Sequence, residues 1–257
     1  MKEPLASFGT SSSSSTDQVL LECNNLCAWY GAAQILLDVN LHVKRGEVVA
    51  LMGRNGAGKS STLKALMGLM PKKTGRVYFL GQDQSNFEPH EAARRGLGFV
   101  PEDRRIFTDL TVLENLSVGR QAPRKFPDGK DAPYWDAQNL GTLFPNLASM
   151  PHRLGSHMSG GEQQMLTVAR SLMGNPLVLM LDEPSEGLAP VMVEHMGEMI
   201  LNLKRQGVSV LLSEQNIHFA QWVSDRVYVL EQGHIRHHSS MQAFAQDAQA
   251  LKTFLSA

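Results

Sequence analysis

A chain of 257 residues with 42% hydrophobic side chains carries enough apolar material for one large domain or two subdomains. Its formal net charge of −1 argues against strong general attraction to nucleic acid or to an anionic membrane, and no nucleic-acid partner is expected. No run of roughly 18 apolar residues is available for a membrane-spanning helix.

In chain order, residues 1–17 (MKEPLASFGTSSSSSTD) lack the apolar stretch of a signal peptide and read as a disordered tail centred on Ser11–Ser15. A single unit is expected over 18–257. Cys23 and Cys27 are too few for a disulfide framework or a zinc site; both read as reduced thiols beside early strands, which suits a cytosolic chain. Ile35, Leu37, Val39, Leu41 and Val43 alternate as in a strand with one buried face. After the turn KRGE, VVALM at 48–52 is continuously apolar, as a strand covered on both faces should be. A glycine-rich loop and a helix running to Pro71 follow. The pairs at 72–73, 94–95 and 104–105 read as solvated surface, and VYFL at 77–80 and LGFV at 97–100 as short strands.

From about 102 to 158 the pattern turns helical and contains a polar surface loop, RQAPRKFPDGKDAP. Strand–helix alternation then resumes with a strand at 177–181, a helix at 191–206 stopped by Gly207, the strand VSVLLS, a helix from Ile217, a hairpin at 227–237 turning at Gly233, and a helix over 240–256. This order predicts an α/β fold with a mainly parallel core sheet, an antiparallel β portion and a helical insertion. His234, His237 and His238 read as residues of a solvated strand rather than as metal ligands.

GRNGAGKS at 53–60 fits G-x-x-x-x-G-K-[ST] between a strand and a helix. Backbone N–H groups of Gly53, Arg54, Asn55, Gly56, Ala57 and Gly58, continuing into Lys59, Ser60 and Ser61, would cradle anionic oxygens at a helix N-terminus. Lys59 would bridge the β- and γ-phosphates of ATP, and the Ser60 hydroxyl would hold Mg²⁺. LVLMLDEP places Asp182 and Glu183 at the C-terminal end of a buried strand, where α/β folds bind ligands. Asp182 would reach Mg²⁺ through a water, and Glu183 would act as general base on the attacking water. In HMSGGEQQ, Ser159 and Glu162 form a capping box, while Gly160 and Gly161 weaken the first helical turn. That choice makes sense where something closely approaches bare backbone, such as an anion at a second helix start.

With these motifs the sequence resembles the ATP-binding cassette (ABC) ATPases over about 18–257: the P-loop GRNGAGKS, the signature MSGGE and the acidic strand end LVLMLDE. The resemblance implies a P-loop NTPase fold and a head-to-tail dimer, in which Ser159, Gly160, Gly161 and Glu162 of one subunit cap the γ-phosphate held by the other. It matches Tyr30 to an aromatic that stacks on adenine. It also answers what LLSEQN at 211–216 delivers: Gln215 falls where a histidine usually touches the γ-phosphate, and its amide can still donate a hydrogen bond.

Two further departures accompany Gln215. Glu102 stands where a glutamine usually meets Mg²⁺ and water, and Ala189 where an aspartate is common; a carboxylate at 102 suits a hard cation. Together VPEDRR, SEGLAP and SEQN resemble the second ATPase subunit of branched-chain amino-acid importers. This implies ATP hydrolysis that energises import through a membrane permease fed by an external solute-binding protein. A second, different ATPase subunit is the implied partner, with a homodimer as the alternative, and the place of work is the cytoplasmic face of the inner membrane. Ile106, Phe107 and Leu110 fall where the family receives a short permease helix. The rival readings are a urea or short-amide importer, a soluble non-transport ABC ATPase, and a nucleotide-binding regulator without turnover.

Overall fold

Strands that are apolar at every position organise the molecule, because each lies between two cores. The structure is a computed structural model and describes residues 17–255. The expected tail, apart from Asp17, lies outside the described residues.

The strands are β1 (Val19–Tyr30), β2 (Ala33–Lys44), β3 (Val48–Met52), β4 (Lys72–Phe79), β5 (Gln82–Asp83), β6 (Leu97–Val100), β7 (Val178–Asp182), β8 (Ser209–Glu214), β9 (Arg226–Glu231) and β10 (His234–Ser240). The helices are α1 (Lys59–Met67), α2 (Pro89–Arg95), α3 (Val112–Gly119), α4 (Ala137–Leu143), α5 (Pro145–Ala148), α6 (Gly160–Leu172), α7 (Pro190–Arg205), α8 (Ile217–Val223), α9 (Met241–Gln246) and α10 (Ala248–Leu255). One sheet has the order β10-β9-β3-β8-β7-β6, parallel throughout except for the antiparallel edge strand β10. The other is antiparallel, in the order β2-β1-β4-β5.

In β3, Val48, Ala50 and Met52 face one core, together with α6, α7 and the helical arm. Val49 and Leu51 face the second core, shared with α1 and the antiparallel sheet. The same division holds in β7, where Leu179 and Leu181 oppose Val178 and Met180. Period-2 burial on both faces is why β3 is apolar throughout and β7 is apolar up to Asp182. Polar side chains gather where the strands end, Asp182 in β7 and Ser213 and Glu214 in β8.

The expected alternation in β2 is corrected. Leu36, not Ile35 or Leu37, is the buried residue of its first half, whereas Val39, Leu41 and Val43 are buried as expected. Asp38 has φ 51° within an irregular stretch of the β1–β2 register, and such a bulge shifts which residues face the core. Ile35 is thereby released toward the cleft described below. Of the Lys72–Lys73 pair, in β4, Lys72 is exposed as a solvated surface residue should be, whereas Lys73 is partly buried and its Nζ donates to Ala65 O at 3.2 Å.

The polar insert is a loop, but it is pinned. Arg124 Nε donates to Asn175 O at 3.0 Å, and Phe126 and Trp135 are buried. The expected C-terminal helix is two helices. Asp247 interrupts it and its carboxylate caps the second, accepting from the N–H groups of Gln249 and Ala250. His238 stacks on Tyr228 at 4.3 Å and meets Arg226 at 2.8 Å, so this strand edge is packed against its neighbour rather than simply solvated. Both thiols are free, and burial pushes Cys23 up to about 12, which leaves it inert.

Candidate nucleotide site

The loop after β3 meets the start of α1 in a way that leaves donors unused. Gly58 is the residue before the helix, with φ 110°, a conformation L side chains rarely adopt. Having no side chain, it cannot cap, and the first turn of α1 carries no acidic residue. The helix N-terminus therefore presents N–H groups and its positive dipole end outward, which suits an anion. The start of α6 is the opposite case. Ser159 Oγ accepts from Glu162 N–H, and the Glu162 carboxylate accepts from Ser159 N–H at 2.7 Å and pairs with Arg153 at 3.6 Å.

Tyr30, Asn55, Gly56, Gly58, Lys59, Ser60, Ser61, Glu102 and Glu183 line one cleft of about 380 Å³. Tyr30 ends β1 with nearly half its surface exposed there, so it is not a core aromatic. Gly53 and Arg54 contribute their carbonyls to Lys59 Nζ, at 2.9 and 3.3 Å. Ala57 O accepts from Gly233 N–H, while Gly233 O accepts from Leu37 N–H. The β9–β10 turn thus holds the loop against β2. Ser159, Gly160, Gly161 and Glu162 do not line this cleft. Gly160 backs onto the Arg104 guanidinium, since a Cβ there would lie 2.5 Å from Nη1, and Gly161 backs onto Met192. Within one chain, the group that closely approaches this helix start is Arg104, which is therefore not merely solvated surface.

The ends of β7 and β8 are cross-braced. Ser213 Oγ donates to Asp182 Oδ1 at 2.6 Å and accepts from Glu183 N–H at 3.1 Å. Glu183 takes φ 47°, a left-handed conformation that costs a non-glycine residue about 1–3 kcal/mol and persists where its surroundings enforce it. Its carboxylate pairs with Lys59 Nζ at 3.1 Å and accepts from Gln215 Nε2 at 2.6 Å. Gln215 here holds the carboxylate beside the cleft. Asn216 caps α8 by accepting from Phe219 N–H. Ser213 and Gln215 of LLSEQN thus act at the site, and Asn216 starts the helix behind it.

Burial raises the Asp182 carboxyl above its ordinary value, against the opposing hydrogen bonds from Ser213 and Ser60. Burial also pushes Glu183 upward, but hydrogen bonds from Glu186, Gln215 and Lys59, with the Lys59 charge, leave it below its ordinary value. Glu186 was not identified from sequence. Its hydrogen bond to Glu183, then burial, then the charges of Glu183, Glu102 and Glu214 push it up to about 7. The signal was a turn: Pro184 and Gly187 bracket it, Glu186 N–H bonds back to Glu183 O, and Glu186 folds over the base into the cleft. Ile35 is the other residue of the cleft that sequence reading missed.

A triphosphate fits this donor set: an uncapped helix start, a lysine and a half-exposed aromatic around one opening. The adjoining Ser60 hydroxyl and Asp182 carboxylate, hydrogen-bonded to each other, offer the hard oxygens that Mg²⁺ prefers.

The family model described as "ABC transporter" matches residues 36–186. The chain is 39% identical to the high-affinity branched-chain amino acid transport ATP-binding protein BraG of Pseudomonas aeruginosa, over 92% of this chain and 99% of that one. It is 32% identical to the lipopolysaccharide export system ATP-binding protein LptB of Escherichia coli K12, over 91% and 96%. Among solved structures, the ADP conformation of an ATP-binding cassette of an ABC transporter superposes with a TM-score of 0.73 at 26% identity, covering 91% of this chain and 98% of that one. The chain belongs to the ABC transporter family, as an ATP-binding subunit that hydrolyses ATP to power transport.

Proposed function

We propose that this chain energises import of branched-chain amino acids through a membrane permease, working peripherally at the cytoplasmic face with a second ATPase subunit. The observation that carries the catalytic part is the set Lys59–Glu183–Gln215, a base already oriented at the mouth of a phosphate cradle. Incoming phosphates draw Lys59 away from Glu183 and from the carbonyls of Gly53 and Arg54. Glu183, still held by Gln215, then accepts a proton from the attacking water. Ser60, Asp182 and Glu102 would hold Mg²⁺, which neutralises charge on the phosphates. Ser159, Gly160 and Gly161 would cap the γ-phosphate of the neighbouring subunit's ATP, with Arg104 adding a cation at that helix start. Closure would be favoured while ATP touches both subunits and lost on hydrolysis.

Tyr30 is assigned to the adenine. Base–aromatic stacking is worth about 1–3 kcal/mol, so Tyr30→Ala should weaken ATP binding roughly ten-fold while leaving GTP discrimination poor. An equilibrium titration with unchanged affinity would remove Tyr30 from the site.

Among the described residues no helix is long and apolar enough to cross a membrane, so transport needs a membrane partner. A cleft of about 540 Å³ opens beside α2, α3 and α6. Leu69, Phe107 and Val118 line it, each about half exposed, together with the exposed Arg94, while the Arg170 guanidinium is turned in over the Phe107 ring with one Nη buried. Such an apolar patch beside an exposed arginine suits a short permease helix that carries an acidic residue. Of the three residues expected there, only Phe107 lines the cleft; Ile106 packs inward on the main core. Glu102 lies in the nucleotide cleft and Phe107 in this one, so the residues at 103–106 join the two. Phe107→Asp with Val118→Asp should abolish co-purification of the permease while nucleotide binding persists. Retained co-purification would place docking elsewhere.

The solute assignment is supported by the 39% identity to BraG over nearly the full length of both chains. The similarity to LptB favours a second reading, an ATPase of lipopolysaccharide export. Identifying the co-purifying membrane subunits and then measuring which solute stimulates the assembled ATPase separates them. Stimulation by leucine, isoleucine or valine supports import; a lipid-stimulated ATPase indifferent to amino acids overturns it.

A further inference from the structure

Glu214 is a titratable group that the mechanism above does not use. It is 2% exposed at the end of β8, and no lysine, arginine or histidine pairs with it among the described residues. A buried carboxylate without a cation is costly, so its retention calls for a role that a neutral residue cannot fill. Its two oxygens serve different elements. Oε1 accepts from Ser185 N–H at 3.1 Å, in the loop that leaves Glu183 toward α7. Oε2 accepts from Gln215 N–H at 3.1 Å and Asn216 N–H at 3.2 Å, in the turn that presents the Gln215 amide to Glu183. An amide in this place would set an NH₂ against one of the two groups of N–H donors, so only a carboxylate can accept on both sides.

We propose that Glu214 is a positioning residue for hydrolysis, a two-ended brace that keeps the Gln215 amide on Glu183 and fixes the loop beginning at Ser185. This rests on the reading of Glu183 as the general base. Two ties converge on Glu183: Glu214 orders the Gln215 turn, whose amide holds the base carboxylate, and orders Ser185, two residues beyond it. The same loop carries Glu186 and Ala189 into α7, so the brace also links the base to the segment that precedes that helix. Burial raises the Glu214 carboxyl, against hydrogen bonds from the Ser185 hydroxyl and from the N–H groups of Asn216, Ser185 and Gln215.

The test is a cycle of Glu214→Gln, Gln215→Ala and the double variant, assayed in the complex with its co-purifying subunits. Glu214→Gln should lower kcat about 10- to 100-fold with the KM for ATP within about two-fold. Because Glu214 acts through Gln215, the double variant should be no slower than the slower single variant. Unchanged kcat, an equal rise in KM, or losses that multiply in the double variant would each overturn the proposal. Should Glu214→Gln not fold, Glu214→Asp keeps the charge but reaches only one set of donors, and the same cycle is run with it. A parallel Glu183→Gln variant separates the two claims. Full turnover there removes the base, whereas a silent Glu183→Gln beside a normal Glu214→Gln removes only the brace.

Discussion

Glu183→Gln is expected to bind ATP with near-normal affinity and to hydrolyse it about 10²- to 10⁴-fold more slowly, the usual contribution of a positioned general base. The change is nearly isosteric, and its single amide oxygen can still accept from Lys59 Nζ, which Glu183 Oε1 meets at 3.1 Å. Its NH₂ replaces the oxygen that accepts from Gln215 Nε2 at 2.6 Å, a contact restored when the Gln215 amide turns its own oxygen inward. Binding geometry should therefore survive while the capacity to take a proton is lost. Single-turnover hydrolysis in the assembled complex measures this directly, alongside an equilibrium titration with ATP. Full turnover in the variant would mean that another group activates the water. Glu186, folded over the base and shifted toward neutrality by it, would then be the first residue to examine.

Lys59→Ala is expected to be more damaging, because Lys59 does two things. It supplies the cation of the phosphate cradle, so ATP affinity should fall at least about 100-fold, equivalent to about 2.7 kcal/mol. It also neutralises Glu183 across a pair in which both side chains are almost fully buried. Removing one member of a buried pair costs about 3–5 kcal/mol where nothing replaces it. Here Gln215 and Glu186 remain on the carboxylate, and the loss should fall at or below the lower end of that range. The nucleotide-free protein should therefore unfold several degrees lower than wild type, and added ATP should no longer raise the midpoint. A variant with wild-type ATP affinity would refute the assignment of the cradle.

The features legible in the sequence were those written in consecutive residues. The P-loop, the strand ends LVLMLDE and LLSEQN, and the alternation of strands with helices all depend on local pattern, and each lies where it was expected. What sequence reading missed depends on neighbours distant in the chain. The apolar residues of β2 show a plain alternation, but a single left-handed residue, Asp38, exchanges which of them is buried, and that bulge is set by pairing with β1. Gly160 and Gly161 suggested close approach to backbone. The chain itself supplies Arg104 and Met192, from a loop and a helix outside the signature.

The polar end of β8 shows the same limit. Gln215 was assigned by its match to a family position, toward the γ-phosphate, yet here its amide meets Glu183. The roles of Ser213 and Glu214 follow from the parallel pairing Asp182↔Ser213, which no stretch of sequence displays. Glu186 and the break at Asp247 were different, since both carried local signals: a turn bracketed by proline and glycine, and a capping aspartate.

The account depends most on a triphosphate shared between two cassettes. The direct measurement is a structure of the Glu183→Gln complex with Mg²⁺ and ATP, its partner cassette and its membrane subunits present. The account predicts one ATP touched at once by Lys59 of one cassette and by the signature helix start of its neighbour, with Ser159–Gly161 of this chain closing the partner's site. Two nucleotide-loaded cassettes whose signature helices point away from the phosphates would contradict it.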